Sequence, residues 1–353
     1  MSEPHHFRPG LGFDVAALER YLRTAIAGFN VLNHVTQFPG GQSNPTYRLD
    51  AEVSGVPKAF VLRRKPPGTL VPSAHAIERE HRVMHALHAV GFPVARTWLL
   101  CDDHTIVGTA FYVMDCLEGR IFWDPSLPEL DADERRPVFS AMVETLADLH
   151  LIDIDRVGLA DYGKAEGYVA RQIARWSKLY LGDVDVAGRV PAMERLIEWL
   201  PAHAPANEPA PTLVHGDFRI DNMVFAADTP RVLGVLDWEL STIGNPDADF
   251  AYNFMMYRAP SAAIPGLLGV DLSAQHLPSE QEYIAIYCRR RGIDGIQDLD
   301  YYVAFCMFRL AAIFHGIRGR LVRGTAVSPK AKEYAAGVED LADLAWRQVG
   351  RPR

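Results

Sequence analysis

The chain has 353 residues, 48% of them hydrophobic and 23% charged. That is the ordinary make-up of a globular protein of one large or two medium domains. A formal net charge of −8 argues against non-specific nucleic-acid binding, which needs a basic footprint.

No apolar run approaches the ~20 residues of a membrane-spanning helix. The opening segment MSEPHHFRPGLGFD lacks the apolar centre of a secretory signal. Neither a membrane nor a nucleic acid is therefore an expected partner, and the cytoplasm is the expected compartment. Cys101, Cys116, Cys288 and Cys306 are far apart and form no CxxC pair, which fits free thiols in a reducing compartment.

In chain order, residues 14–26 carry apolar residues at helical spacing behind Asp14, a good N-cap. Residues 31–38, 45–53, 58–65, 94–101 and 109–115 read as strands. Residues 73–91 read as one helix, with Ser73 as its cap and Gly91 as its stop. The first part is thus a small sheet with one helix inserted before its last two strands. Residues 116–123 show no clear period. From about 131 the chain turns mainly helical, with amphipathic stretches at 131–150, 165–181 and 190–203. Further helices are expected at 247–259, 279–292, 300–320 and 332–349. Segments 201–212 and 259–279 are proline-rich and loop-like. The organisation expected is α+β: a β-rich N-terminal lobe over 1–115 and a mainly helical C-terminal lobe over 116–353, joined near 114–119.

The chemistry concentrates in LVHGDFRIDNMVF, residues 213–225. Two short apolar runs of buried-strand character enclose a turn rich in carboxylates and amides. Asn222 follows Asp217 by five residues, and Asp237 in VLDWE follows by twenty. Asn222 and Asp237 offer hard oxygen ligands of the kind Mg²⁺ takes together with phosphate oxygens. Asp217 can accept a proton from a hydroxyl. One base and two metal-holding residues make up the phosphoryl-transfer template.

HGDFRIDN followed by VLDWE resembles the catalytic loop and metal-binding segment of the aminoglycoside phosphotransferase family. FPGGQSNPTYRL is similar to its nucleotide-covering turn, FVLRRKP to its third strand, IEREHRVMHAL to the helix that pairs with that strand, YVMDCLEG to its hinge, and GNPDADFAY to the segment after the metal aspartate. The resemblance covers roughly residues 30–260. It is closest in texture to the branch whose domain occurs fused to acyl-CoA dehydrogenases. It implies a protein-kinase-like two-lobe fold, ATP and Mg²⁺ as cofactors, and a small-molecule hydroxyl as acceptor. It implies Asp217 as base and Asn222 and Asp237 as Mg²⁺ ligands. Glu80 becomes the ion-pair partner of the basic residue on the third strand, and Ser43, Met114 and Cys116 belong to the nucleotide site. The family usually has lysine on that strand; here the matching residue is Arg63, or Lys65 if the register shifts by two. Arginine binds phosphate bidentately but is not a point charge.

The neighbours of these residues have plainer readings. His215 is expected to be structural behind the loop, Asp221 a solvated carboxylate, Glu239 a surface or supporting group. Asp249 is either a brace for the loop's backbone N–H groups or a first-turn helix acid. Between 286 and 332 nine basic residues stand beside three acids, which reads either as a solvated cationic face balanced by acidic neighbours or as a site for an anionic acceptor such as a hydroxyacyl-CoA. Aminoglycoside phosphorylation and a catalytically inactive nucleotide-binding module remain the alternatives. Oligomeric state is not legible.

Overall fold

A computed structural model describes residues 7–8, 10–38, 44–68, 76–260, 264–326 and 330–349. The chain divides into two compact units. One is Met1–Gly119 together with Leu233–Glu239, and the other is Arg120–Val232 together with Leu240–Arg353.

The first unit contains α1 (Val15–Ala25), β1 (Phe29–Gln37), β2 (Thr46–Val53), β3 (Val56–Arg64), α2 (Ile77–Ala89), β4 (Thr97–Cys101), α3 (His104–Val107) and β5 (Phe111–Asp115). Its sheet has the order β1-β2-β3-β5-β4 and is antiparallel throughout. Asp14 caps α1 by accepting from the amides of Ala16 and Ala17. Strands β2 and β3 close over a two-residue turn, Ser54–Gly55, with both residues at positive φ, the geometry that matches strand twist in tight hairpins. Period-two alternation then sorts β3. Phe60 and Leu62 join Leu18 and Leu22 of α1 in a core with Tyr47, Leu49 and Val113. Arg63 falls on the other face.

The second unit contains α4 (Ala132–His150), α5 (Tyr168–Ala187), α6 (Pro191–Ala202), β6 (Thr212–Val214), β7 (Met223–Phe225), β8 (Val232–Val235, of which only Val232 belongs to this unit), β9 (Thr242–Gly244), α7 (Pro246–Phe254), α8 (Glu280–Arg291), α9 (Leu299–Val322), α10 (Ala331–Ala336) and α11 (Val338–Val349). β6 pairs with β9 in antiparallel register, Leu213 opposite Ile243. α9 is buried on nearly every face and packs against α5, α7 and α11; a helix apolar all round is a central one. No described helix is long and apolar enough to cross a membrane.

Two expectations about helices change. The helix expected from 73 begins at Ile77, with Ala76 at its N-cap and no side-chain cap; Ser73 lies outside the described residues. Its first turn carries Glu78 and Glu80, which favour a helix N-terminus by charge instead. The helix expected over 332–349 is two helices that meet at Gly337, whose amide closes α10 on the carbonyls of Glu333 and Tyr334.

Candidate active site

The loop after β6 is held from behind. Gly216 has φ +82°, and a Cβ there would lie 2.9 Å from the carbonyl oxygen of Leu240, so only glycine fits. Asp249, buried on α7, accepts from the amide of His215 at 2.8 Å through Oδ2 and from that of Gly216 at 2.8 Å through Oδ1. His150 Nε2 stands 3.2 Å from the same Oδ2, while its Nδ1 is 2.6 Å from the Tyr287 hydroxyl. Burial alone would raise the Asp249 carboxyl. Its hydrogen bonds from His150 and the loop outweigh burial and lower it. Burial lowers the pKa of His150, which fits a neutral ring donating from Nε2 to Asp249 and accepting at Nδ1 from Tyr287. Asp249 is thus the loop brace. His215 is fully buried, and its Nδ1 accepts from the Asp217 amide at 3.2 Å, a structural part.

Asp217 itself is held at both oxygens. The Tyr252 hydroxyl donates to Oδ1 at 2.6 Å. Asn222, carried back by the 3₁₀ turn Ile220–Asn222, donates Nδ2 to Oδ2 at 3.1 Å and to the Asp217 carbonyl at 2.9 Å. Arg219 Nε stands 4.0 Å from Oδ1. Asp221 is not a solvated carboxylate: both its oxygens pair with Arg219, Nε to Oδ1 at 3.0 Å. Burial opposes the charge of Arg219, but Asp217, Tyr252 and Asp221 outweigh it and raise its pKa.

In the first unit Arg63 is the centre. Antiparallel register sets it opposite Tyr112, and both converge on Glu80 of α2. Arg63 Nε lies 2.9 Å from Glu80 Oε2, and the Tyr112 hydroxyl donates to the same carboxylate at 3.1 Å. Asn44 donates to Oε1 at 3.0 Å. The guanidinium also reaches Asp237 Oδ1 at 3.0 Å and Glu239 Oε2 at 3.6 Å through Nη2. Burial works against both charges. In Arg63 the surrounding acids prevail and its pKa rises. In Glu80 burial prevails and its carboxyl is raised, although Arg63 and Tyr112 pull the other way. Asp237 is a non-glycine residue at φ +62°, a conformation that stays populated only where the surroundings enforce it. Lys65 pairs instead with Glu78, at 2.5 Å, so Arg63 is the residue in the ion pair with Glu80.

Met114 lies on β5 opposite Val61. The amide of Cys116 is already committed to the Ala59 carbonyl at 3.2 Å, and that of Asp115 to the Arg96 carbonyl at 2.9 Å. Ser43 and the glycines beside it lie outside the described residues.

Within the second unit a cleft is lined by Pro125, Ile220, Met255, Met256, Ile264 and Pro265, with Arg219, Asp221, Tyr252 and Asn253 as its polar groups. Several of the basic residues over 286–332 are met by partners from elsewhere in the chain. Arg290 pairs with Asp148, Arg318 with Glu339 and Arg323 with Asp183. Arg291 donates to the His150 carbonyl, and Arg309 is buried with Nη2 on the Gly216 carbonyl at 2.6 Å. Counting charge along the sequence misses partners that lie far away in the chain.

Sequence reasoning also misses Tyr252, Tyr112 and the role of Asn44, and it counts Arg309 only as one of the basic residues over 286–332. Tyr252 has a usable signal. It follows Asp249 by three residues on a helix and shares its face.

Comparison with known proteins gives a consistent picture. The model of the phosphotransferase enzyme family matches residues 34–283. Acyl-CoA dehydrogenase family member 10 of Mus musculus is 42% identical over 333 residues, covering 94% of this chain and 30% of that protein. Acyl-CoA dehydrogenase family member 11 of Homo sapiens is 40% identical over 336 residues, covering 94% and 42%. The chain therefore spans less than half the length of the curated relatives it matches. Among solved structures, one from Ralstonia eutropha JMP134, provisionally named an aminoglycoside phosphotransferase, matches with a TM-score of 0.85 at 40% identity over 96% of this chain and 98% of that one. The ADP-bound aminoglycoside phosphotransferase APH(2'')-Ib matches at 0.59 with 14% identity over 95% and 99%, a likeness of fold alone.

Proposed function

The chain belongs to the phosphotransferase enzyme family, and from that premise we propose that it is an ATP-dependent kinase of a small hydroxyl-bearing molecule, with Asp217 as the group that receives the hydroxyl proton. The observation that carries the reading is the Asp217 carboxylate, fixed at one oxygen by Tyr252 and at the other by Asn222 on a loop braced by Asp249. A base held that firmly can orient an acceptor hydroxyl for in-line attack, which is most of what phosphoryl transfer asks of a protein.

Arg63, positioned by Glu80 and Tyr112, binds the non-transferred phosphates of the nucleotide. Its planar fork suits phosphate oxygens in place of the usual lysine. The backbone around Met114–Cys116 receives the purine. The amide of Cys116 is already committed to Ala59, so the purine contacts fall on other groups of that segment. Asn222 and Asp237 would each offer a side-chain oxygen to a hard divalent cation: among the described residues Asn222 turns Nδ2 to Asp217 and Arg63 engages Oδ1 of Asp237. When bound there, Mg²⁺ neutralises the charge of the phosphate oxygens.

The acceptor is an anionic hydroxyacyl thioester of the CoA type rather than a polycationic aminoglycoside. The cleft beside Tyr252 is walled by apolar side chains, and its one carboxylate, Asp221, is already paired with Arg219. A polycation finds no acid to bind there, whereas an acyl chain finds a suitable wall. The names of the relatives, acyl-CoA dehydrogenase family members, point to the same chemistry.

The test is Mg²⁺-dependent ADP release with hydroxyacyl-CoA thioesters beside kanamycin-type aminoglycosides. Turnover on the thioesters is expected. Turnover confined to aminoglycosides overturns the acceptor assignment, and ATP binding with no turnover on either panel favours an inactive nucleotide-binding module. Asp217→Ala is expected to lower kcat by about three orders of magnitude while ATP affinity stays within about threefold; lost ATP binding in that variant would make Asp217 structural or a metal ligand.

A further inference from the structure

One face of α7 meets the loop residue by residue. Asp249 accepts from the amides of His215 and Gly216. Three residues on, Tyr252 donates to Asp217 Oδ1 at 2.6 Å. One residue further, Asn253 donates to the Phe218 carbonyl at 3.1 Å. These are the i, i+3, i+4 positions of a helix, so a single rigid element sets four consecutive loop residues. Three of these four contacts hold backbone; only that of Tyr252 reaches the reacting side chain.

We propose that Tyr252 is a positioning residue for the proton-accepting carboxylate: its hydroxyl fixes the rotation of Asp217 and so aims the carboxylate at the acceptor. The proposal rests on the reading of Asp217 as base.

A carboxylate torsion is broad and roughly two-fold when left to itself. Asn222 holds Oδ2 at 3.1 Å, a contact that still permits rotation about its own direction. A second donor on Oδ1 removes that freedom. The tyrosine is itself fixed. It is buried, and the Arg309 guanidinium stacks over its ring at 5.0 Å while bonding the Gly216 carbonyl at 2.6 Å. A cation on the ring face draws electron density from the phenol and makes its hydroxyl a stronger donor. Burial and the neighbouring Asp217 push the phenol's pKa well up, so the group stays a donor.

The proton balance follows. The acceptor O–H bond breaks and its proton passes to Asp217. The new O–P bond forms as the bond from the γ-phosphorus to its bridging oxygen breaks, and that electron pair leaves with ADP. Tyr252 keeps its own proton throughout. Tyr252 also lines the apolar cleft, which places the residue that aims the base in the wall of the site expected to hold the acceptor.

The experiment compares wild type, Tyr252→Phe and Asp217→Ala as full chains. It measures ADP release with 3-hydroxybutyryl-CoA as the acceptor probe and solves crystal structures of wild type and Tyr252→Phe. Phenylalanine keeps the ring, its packing and its stacking on Arg309. Loss of one bond to a charged group is expected to lower kcat by about 10- to 100-fold, with KM for ATP and probe within about twofold. The Asp217 carboxylate is expected to leave its wild-type rotamer or split between two. An unchanged kcat, or a single wild-type rotamer in Tyr252→Phe, overturns the proposal. A merely structural role would move melting temperature without this split between kcat and KM. Full activity in Asp217→Ala removes the base reading instead, and the crystal structures then still decide whether Tyr252 sets the carboxylate. If wild type does not turn over the probe, the Asp217 rotamer in the two crystal structures decides the proposal by itself.

Discussion

The surroundings of Asp217 and of Arg63 are built on opposite plans. Around Asp217 a single acid is held in a directional frame of hydrogen bonds: Tyr252 and Asn222 donate to its side chain, while on the backbone beside it Asp249 accepts from the Gly216 amide and Arg309 donates to the Gly216 carbonyl. Around Arg63 a single cation gathers three acids, Glu80, Asp237 and Glu239. Hydrogen bonds fix direction, and ion pairs fix only approximate distance. The first plan suits the base proposed at Asp217, which would have to aim at one hydroxyl. The second suits the phosphate-binding role proposed for Arg63, because a guanidinium can exchange carboxylate oxygens for phosphate oxygens at little cost in geometry.

The comparison breaks first at Asp249. If the loop depends on directional bonds, replacing their acceptor should be severe. Asp249→Ala leaves the amides of His215 and Gly216 and the ring of His150 facing a buried void. Stranded buried donors of this kind cost about 1–3 kcal/mol each where water cannot reach them, so a loss of about 3 kcal/mol or more is expected. Chemical denaturation checks it. A loss under about 1 kcal/mol would mean that water replaces the carboxylate and the frame is not directional.

The Arg63 cluster should fail differently. Arg63→Met leaves Glu80, Asp237 and Glu239 without their common cation. The expected loss is about 2 kcal/mol at pH 8. Its pH dependence has a definite sign. The carboxyl of Glu80 is already raised by burial with Arg63 present, and removing the cation raises it further. A carboxyl raised in the folded state costs stability once it must ionise, so the deficit grows as pH rises through the folded value and shrinks on acidification. Denaturation at pH 8 and at pH 5 separates the outcomes. A deficit independent of pH would mean that the lost side chain matters by packing and not by charge.

How much of this is legible in the sequence follows the distance between partners along the chain. Asp217 and Asn222 are five residues apart in one loop, and their contact is legible from that spacing. The strands and the inserted helix follow from period and punctuation. Period does not tell Arg63 from Lys65, because residues two apart on a strand share a face; the ion pairs do, Arg63 with Glu80 and Lys65 with Glu78. Tyr252 reaches Asp217 across 35 positions, and only the helix phase relative to Asp249 hints at it. Charge counting puts Arg309 on a cationic face because it ignores burial. The opposing signal is present: Arg309 stands in YYVAFCMFRLAAIF, which is apolar on every helical face, and an arginine there has to be buried. Ser73 fits a cap by residue type, but α2 starts four residues later, where two glutamates stabilise the first turn by charge.

The smallest effect comes from α7, next to the frame that holds the loop. Asp247 stands in the first turn of α7, is 8% exposed and carries no bond of the kind Asp249 has. Burial pushes its carboxyl up to about 6, with Arg291 only partly offsetting this. Two buried carboxylates, two residues apart, thus move in opposite directions. Asp249 is lowered because donors meet it, and Asp247 is raised by burial, with no side-chain hydrogen bond among the described residues to offset it. The sign for Asp247 follows from proton counts: between about pH 4 and 6 the folded chain holds a proton that the unfolded chain has released, so stability falls as pH rises and the whole cost is present above 6. Two pKa units correspond to roughly 3 kcal/mol as an upper bound, and local relaxation brings the expected cost to about 1 kcal/mol. Asp247→Asn should therefore stabilise the protein by about 1 kcal/mol at pH 7.5 and by nothing measurable at pH 4. The loss of a favourable acid at the helix N-terminus trims this gain by a few tenths. Denaturation midpoints at the two pH values check it. Equal gains at both would point to packing. A loss at pH 7.5 would mean that Asp247, like Asp249, has a favourable partner for its charge.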